Sequence, residues 1–540
     1  MKNKKDADIW VYLNKKSKDI ENKFEILTKR RTGSYYTDMQ LTDAMMENLV
    51  ECLKKSNKSK RLCEYSFLDP CVGAGNFVFS YIKAVLKRGI TKEEANIMLN
   101  NVYVADVNVE AIKGYKESLK KLSWLLWEIK LTSDYFEKHI SSGLLVNVTH
   151  DKLKYISINN MFKNMSNWFD IVATNPPYKN LKAEQGQYKN NQDYEKDKNK
   201  YTEISKIVKN NFIYSNDGVL NLYKLFVEEI IDKYANENAF ISLLIPVSIM
   251  SDKTCVKLRT HILEDNKLLS VKVIGENNKF IDARQSLCDI LIKKGEKTDW
   301  VDITKDYCKS PKEIVKVNIN NIINSNTGNS IIAVSPEECE ILRKLRRFPV
   351  VKELPFIINL RGELDLTLNK KSITIDNTGY KLIRGTNIAY YNIIKNTSNE
   401  FVDKNFINTT RKKCYIEKER IACRQVANIN KDRRVTFTYI PKNYILGNSC
   451  NFIFVEENKY DIDIYTILGL FNTKIINWLF ELTSSNDHIN NYEINSFPVP
   501  VEAKELKQIS ELVKKYLKNK DEKLIDKIEL LAKSAYCINN

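Results

Sequence analysis

Phe67-Leu68-Asp69-Pro70-Cys71-Val72-Gly73-Ala74-Gly75-Asn76-Phe77 is the stretch on which the fold turns. A short apolar run ends in an acid and enters a glycine turn, after which Phe77 opens a helical period. Glycines at a strand-to-helix turn let the backbone approach a ligand closely. A lone Gly-x-Gly is weak, because most such pairs are ordinary turns. The flanking Asp69-Pro70 sharpens it and puts a carboxylate where it would hold an ammonium group. About thirty residues further on, Val102-Tyr103-Val104-Ala105 leads to Asp106. An acid at the tip of the second strand of a nucleotide-binding fold accepts hydrogen bonds from ribose hydroxyls. An isolated aspartate there would be an ordinary helix cap, but this one follows a glycine turn at the expected distance.

Outward from this pair, apolar runs at 65–68, 102–105, 171–173, 240–245 and 286–292 alternate with helical periods. Such runs suit parallel strands covered on both faces, in an α/β layer fold. The 540 residues predict two or three domains. Residues 1–30 read as a helical extension with Ile9, Trp10, Leu13 and Ile20 on one stripe. Residues 31–300 form the α/β domain, 179–210 being a polar, mobile loop, and 301–345 a linker. Residues 346–505 form a second domain of short β-like segments with turns at Arg361-Gly362, Arg384-Gly385 and Gly447-Asn448. Residues 506–540 return to helical period and pack as a terminal pair on that domain.

Lys and Arg total 85 against 68 Asp and Glu, a net charge of +17. A surplus of that size makes a polyanion the leading partner; the alternative is a lysine-rich compositional bias. The surplus is locally dense at 403–443, where eleven cations face four acids, interleaved with Phe406, Tyr415, Phe437 and Tyr439. The eleven cysteines are scattered without a Cys-x-x-Cys pair, so spacing gives neither a metal site nor a disulfide framework, and a reducing cytoplasm fits. No secretory signal is visible at the N-terminus, and no apolar run is long enough to span a bilayer.

The chemistry-bearing segment is Phe169-Asp170-Ile171-Val172-Ala173-Thr174-Asn175-Pro176-Pro177-Tyr178. A strand runs into a turn in which two prolines fix φ and remove two N–H donors. The side-chain oxygen of Asn175 and the carbonyl of Pro176 thereby form a stiff pair of acceptors. A conjugated, planar amino nitrogen is a poor nucleophile; accepting both its hydrogens biases it toward sp³ and frees its lone pair. That is electrostatic preorganisation. Tyr178 is placed to stack on the group that carries the nitrogen. The bland alternative is a surface Pro-Pro turn.

The ordered set resembles the gamma class of DNA amino-methyltransferases, the Asn-Pro-Pro-Tyr family, and in particular the modification enzymes of type II restriction systems. Thr32-Gly33-Ser34-Tyr35-Tyr36-Thr37 looks like the family's N-terminal cofactor motif, 69–77 its glycine motif, Asp106 its ribose acid and 175–178 its catalytic loop. Asn221-Leu222-Tyr223 and Leu244-Ile245-Pro246 resemble later motifs, and Phe280 matches the aromatic that stacks on the target base. These pieces cover 30–295, about half the chain. The resemblance implies a Rossmann-like α/β domain that uses S-adenosylmethionine, joined to a mixed α+β target-recognition domain. It implies methyl transfer to N6 of an adenine flipped out of double-stranded DNA. Asn175, Pro176, Pro177 and Tyr178 would be catalytic, Tyr178 and Phe280 would stack on the base, and no metal would be needed. Tyr36, Thr37, Asp69, Gly73, Gly75, Asp106, Val107 and Asn160 would bind the cofactor. A bacterial, cytoplasmic setting and a cognate restriction endonuclease as a separate protein are further implications. Two departures stand out: Asp38 occupies the family's usual Pro position, and Asn160 that of an Asp, where an amide still accepts and donates.

In the second half, segments 382–387, 444–451 and 483–498 look like target-recognition domains of this family. Arg384, Arg411, Lys412, Arg424, Gln425, Arg433 and Arg434 are the expected DNA-binding residues, Arg424 and Gln425 as base readers. Three other functions compete with DNA methylation. An Asn-Pro-Pro-Tyr methyltransferase for RNA or a glutamine side chain is disfavoured by the Tyr-Tyr-Thr motif and the long second half. A non-catalytic DNA-specificity protein is disfavoured by the intact Gly75, Asn175 and Tyr178. A fused nuclease is disfavoured because no Asp…Glu-x-Lys core is evident and about thirty residues precede the cofactor motif.

Overall fold

The computed structural model describes residues 4–22, 37–56, 59–142, 147–148, 153–154, 165, 167–183, 185, 190–276, 278, 280, 285–308, 313–324, 328–394, 399–426, 433–484 and 488–538. The chain divides into two compact units: Met1–Asn320 with Ala333–Ser335, and Asn321–Ile332 with Pro336–Asn540.

The first unit is built on a nine-stranded mixed sheet. Its strands are β1 (Phe67–Asp69), β2 (Val102–Ala105), β3 (Ile140–Ser141), β4 (Phe169–Thr174), β5 (Ala235–Pro246), β6 (Asn266–Ile274), β7 (Leu287–Lys294), β8 (Trp300–Thr304) and β9 (Val315–Asn318). Their order across the sheet is β9-β8-β6-β7-β5-β4-β1-β2-β3. β1 pairs in parallel with β2 and β4, and β4 with β5; β7 runs antiparallel to β5 and β6. Every residue of β1 and β2 is buried, as expected of central strands with both faces covered. Strand order reverses between β1 and β4, and in open α/β sheets the crevice beyond the carboxyl ends at such a switch point is where ligands bind.

Helices of this unit include α1 (Lys4–Asn22), α2 (Met39–Ser56), α3 (Asn76–Leu86), α4 (Val109–Trp127), α5 (Asn191–Asn211) and α6 (Leu222–Glu229). The expected N-terminal extension is part of this unit. Ile9, Trp10 and Leu13 of α1 are buried, and a Cβ on Gly114 of α4 would lie 2.4 Å from Ile20 Cδ1.

Two expectations are corrected. The polar stretch 179–210, read as a mobile loop, carries the 21-residue α5. Asn190 caps it, accepting from the Asp193 N–H, and Tyr201, Ile204 and Val208 bury at helical spacing; three apolar anchors suffice where the rest of the surface faces water. The expected linker 301–345 instead supplies β8 and β9, which extend the sheet, and a helix, α7 (Pro336–Leu345). In β8, buried Val301 and Ile303 alternate with exposed Trp300 and Asp302, the period of a half-covered strand, too short to stand out from sequence.

The second unit holds two four-stranded sheets. Its strands are β10 (Ile357–Arg361), β11 (Ile373–Thr374), β12 (Lys381–Ile383), β13 (Phe401–Val402), β14 (Arg420–Arg424), β15 (Phe437–Ile440), β16 (Tyr444–Leu446) and β17 (Cys450–Val455). One sheet has the order β10-β17-β14-β15 and the other β11-β13-β12-β16. Helices α8 (Ile464–Phe471), α9 (Lys474–Thr483), α10 (Leu506–Asn519) and α11 (Lys523–Ala535) complete the unit. The terminal pair packs within it: a Cβ on Gly469 of α8 would fall 2.5 Å from Ile509 Cγ2 and 3.0 Å from Val513 Cγ2 on α10. No helix among the described residues is long and apolar enough to cross a membrane.

Candidate active site

The site residues of the first unit gather at the carboxyl ends of β1, β2 and β4. β1 stops at Asp69, which is fully buried. Its Oδ1 accepts from the Thr174 hydroxyl (2.8 Å), at the end of β4, and from the Cys71 N–H (3.1 Å). Its Oδ2 is buried with no hydrogen-bond partner. Burial pushes its pKa up to about 7, against the two hydrogen bonds and with a smaller push from Asp106. Asp106 follows β2. Its Oδ2 accepts from the Gly73 N–H (2.8 Å) and its Oδ1 from the Asn108 N–H (2.9 Å). Burial raises its pKa too, opposed by the backbone N–H groups of Asn108, Gly73 and Val107. Asp106 thus ties the glycine turn to the second strand. Val107 beside it is 41% exposed, an apolar surface at the mouth of the crevice.

Gly73 and Gly75 both have positive φ, +49° and +97°. At Gly75 a side chain would also collide with Tyr115 Cδ2 (2.6 Å) and Phe79 Cε2 (2.7 Å). Glycine is therefore required at position 75 by backbone conformation and by close packing under α3; the ligand-approach argument is not needed there.

At the end of β4, Pro176 and Pro177 are buried while Asn175 and Tyr178 are half-buried. The Tyr178 hydroxyl donates to Asn175 Oδ1 and lies 2.8 Å from the Leu244 carbonyl. Asn175 Nδ2 donates to Thr37 Oγ1 (3.0 Å), and the Thr37 carbonyl accepts from Asn76 Nδ2 (2.6 Å). Beyond Tyr178 the chain is pinned to the segment before α6: Leu222 N–H donates to the Lys179 carbonyl (2.9 Å), and Leu181 N–H to that of Leu220 (2.7 Å). Phe280 and Tyr178 both pack on the edge of one core. The Phe280 carbonyl accepts the Asp38 N–H (2.9 Å), and its ring meets Tyr307 edge-on. Thr37, Asp69, Gly73, Asp106, Asn175, Tyr178 and Phe280 are thus linked by direct contacts through a common set of elements. Tyr36 and Asn160 lie outside the described residues. Thr174 and Asn76 were not singled out from sequence, although both sit inside the quoted motifs.

In the second unit the expected DNA contacts divide sharply. Arg434 is buried: its Nη1 donates to the Ser484 carbonyl (2.7 Å) and its guanidinium lies over Phe480. It is corrected from a DNA contact to an internal brace, because a guanidinium with a carbonyl and a ring to satisfy it can be buried. Arg433 donates to the Asn472 carbonyl and covers Tyr390, and Arg384 forms a two-bonded pair with Glu400 at 2.6 and 2.9 Å. Lys412 Nζ donates to the carbonyls of Arg361 (2.6 Å) and Gly362 (3.2 Å). Arg411 is exposed. Arg424 ends β14 and Gln425 follows it, beside Arg361, which ends β10: in the shared ladder Arg361 faces Asn451 and Arg424 faces Cys450 on β17. Exposed Arg361 donates to the Asn448 carbonyl (2.8 Å) and reaches Gln425 Oε1 (3.3 Å). Arg361, legible in the sequence only as half of a turn, is thereby an exposed cation next to Gln425.

Residues 100–280 match the family model described as Eco57I restriction-modification methylase, and residues 380–499 that of the TaqI-like C-terminal specificity domain. No curated protein matches the chain. Among solved structures, the Type IIL restriction-modification enzyme MmeI in complex with DNA is similar at a TM-score of 0.51 and 12% identity, over 97% of this chain and 79% of that one. The type IIG restriction endonuclease BpuSI is similar at a TM-score of 0.45 and 11% identity, over 94% and 67%. Asn175-Pro176-Pro177-Tyr178 lies inside the first matched region, and Arg384, Arg411, Arg424 and Gln425 lie inside the second: the chain carries a region of the Eco57I restriction-modification methylase type and a TaqI-like C-terminal specificity domain.

Proposed function

We propose that the protein transfers a methyl group from S-adenosylmethionine to N6 of an adenine flipped out of double-stranded DNA, at a sequence chosen by the second unit. The observation that carries this is the Asn175-Pro176-Pro177-Tyr178 turn at the end of β4, beside Asp69 and Asp106 at the ends of β1 and β2. The residues present fit the cofactor. Asp69 Oδ2 is a buried acceptor in want of a cationic donor, and an ammonium group is such a donor. Asp106, with one N–H on each oxygen, keeps acceptor capacity for ribose hydroxyls. Thr37 and Val107 complete the surroundings. S-adenosylmethionine, when bound, supplies an electrophilic methyl on a sulfonium sulfur.

The chain's own residues prepare the nucleophile. Asn175 Oδ1 and the Pro176 carbonyl accept the two N6 hydrogens, which localises the lone pair and leaves a path for the proton that N6 sheds. The acceptors are fixed before the base arrives, since two prolines stiffen the turn and Thr37 holds the amide nitrogen. The Tyr178 hydroxyl, which donates to the same Asn175 oxygen, yields that position to the base, while the rings of Tyr178 and Phe280 offer aromatic surface for stacking. The specificity-domain match, exposed Arg361 and Arg411, and half-buried Arg424 and Gln425 support DNA as the substrate. A cognate restriction endonuclease, as a separate protein, is the partner that such a modification activity would protect against.

The test is transfer of labelled methyl to duplex DNA. Label should appear on adenine N6, and Asn175→Ala should lower transfer by at least 100-fold, about 3 kcal/mol of lost acceptor stabilisation, with S-adenosylmethionine affinity retained. Label on cytosine alone, or transfer indifferent to Asn175→Ala, overturns the reading.

A further inference from the structure

The dipeptide Thr37-Asp38 touches three parts of the site at once. Thr37 Oγ1 accepts from Asn175 Nδ2 (3.0 Å), and the Thr37 carbonyl accepts from Asn76 Nδ2 at the first turn of α3 (2.6 Å). The Asp38 N–H donates to the Phe280 carbonyl (2.9 Å). The dipeptide is itself fixed. Thr37 is buried. The Asp38 carboxylate accepts from the Gln40 N–H (2.8 Å) and the Asp38 carbonyl from the N–H groups of Leu41 (3.1 Å) and Thr42 (3.2 Å), which anchors it to the start of α2. Lys18 of α1 lies 3.6 Å from the same carboxylate.

We propose that Thr37-Asp38 is a positioning device of the reaction: Thr37 sets which way the Asn175 amide faces, and the Asp38 N–H holds the backbone of the base-stacking Phe280. The proposal rests on the function given above. The amide of asparagine has nearly the same shape after a half-turn, but its two ends are chemically opposite. Activation of N6 needs the oxygen toward the substrate. A turned amide presents N–H to N–H, which repels and accepts nothing. With the base absent, the Tyr178 hydroxyl donates to the oxygen and Thr37 accepts from the nitrogen, so the orientation is held from both ends. When an N6 hydrogen replaces the Tyr178 proton, the Thr37 contact still holds the nitrogen. The second arm depends on a backbone N–H at position 38, the position where the resembled family usually has Pro. Proline cannot donate, so in this chain Asp38 adds a tie between the start of α2 and Phe280.

The experiment compares wild type, Thr37→Val, Thr37→Ser, Asp38→Pro and Asp38→Asn in the full-length chain. It reads methyl transfer to duplex DNA at saturating S-adenosylmethionine, S-adenosylhomocysteine binding by calorimetry, and thermal unfolding. Thr37→Val is nearly isosteric but lacks the oxygen; its kcat should fall roughly five- to tenfold, the size of one hydrogen bond. Thr37→Ser should restore it. Asp38→Pro should raise the KM for DNA by a similar factor and leave cofactor affinity unchanged, whereas Asp38→Asn, which keeps the N–H, should not. Should Thr37→Val fail to fold, the Asp38→Pro and Asp38→Asn pair decides. A Thr37→Val loss confined to S-adenosylhomocysteine affinity with kcat unchanged, or equal DNA KM for Asp38→Pro and Asp38→Asn, overturns the proposal while wild type still methylates adenine. Wild type that places no methyl on adenine overturns the function and the proposal together.

Discussion

At Asp69 one carboxylate oxygen accepts hydrogen bonds from the Thr174 hydroxyl and the Cys71 N–H, while the other is buried with no partner. Burial therefore dominates, and the group titrates near 7 instead of 3.8. Between those values the native state holds a proton that the unfolded chain has released, so this residue lowers stability progressively as pH rises from about 4 to about 7. A cationic ligand against Oδ2 reverses the preference and draws the proton off. Binding of S-adenosylhomocysteine, which carries the same ammonium group, should release close to one proton at about pH 6 and none at about pH 8.5. Calorimetry in buffers of different ionisation heat measures this. Asp69→Asn should abolish the release, and a pH-independent proton count in wild type would move the ammonium contact to another residue.

Strand β14 begins with a charge that never reaches water. Arg420 is fully buried and its Nη1 donates to Glu363 Oε1, while Nη2 donates to the Tyr444 carbonyl (2.5 Å). Glu363 Oε2 accepts the Leu446 N–H (2.7 Å), so one ion pair joins β14 to both ends of β16 and to the chain leaving β10. Burial raises the Glu363 pKa and lowers that of Arg420, each held back by the other. Removing one partner strands a buried charge, and Arg420→Met should cost about 3–5 kcal/mol in urea unfolding. Arg420→Met with Glu363→Leu should recover most of it, because two apolar groups leave no charge unpaired. A double variant no more stable than the single one would show that the hydrogen bonds to β16, and not the unpaired charge, set the cost.

At the scale of the molecule, catalytic and specificity regions fall in different units, with matched regions at 100–280 and 380–499. Grafting residues 346–500 from a relative of different specificity should carry that specificity over with the first unit unchanged. Single-molecule sequencing of DNA from cells that express the graft reads the methylated site; an active graft that keeps the original site would place recognition in the first unit. Within 403–443, Arg411 is exposed whereas Arg434 is buried. Arg411→Ala should weaken binding to all duplexes alike and lower the slope of log affinity against log salt by about 0.9, one phosphate contact. Arg434→Ala should act on stability instead, visible as a lower unfolding midpoint.

Local chemistry was legible along the chain. An acid after a buried strand, glycines at its turn and two prolines after a third strand impose their geometry whatever surrounds them, so the α/β core and the loop 175–178 could be read from spacing. Three things were not local. The nine-strand order, with β8 and β9 added where a linker was expected, depends on which short strands find a covered edge. The polar segment after Tyr178 became helical because Tyr201, Ile204 and Val208 have a core to enter. The use of each cation depends on partners distant in sequence: Arg420 and Arg434 meet Glu363 and Ser484 inside the fold, while Arg361, missed beforehand, meets Gln425 at a strand end. Sequence determined the number and sign of the charges. Only tertiary structure decided which of them face solvent, because a guanidinium is buried or exposed according to whether acceptors from elsewhere in the chain surround it.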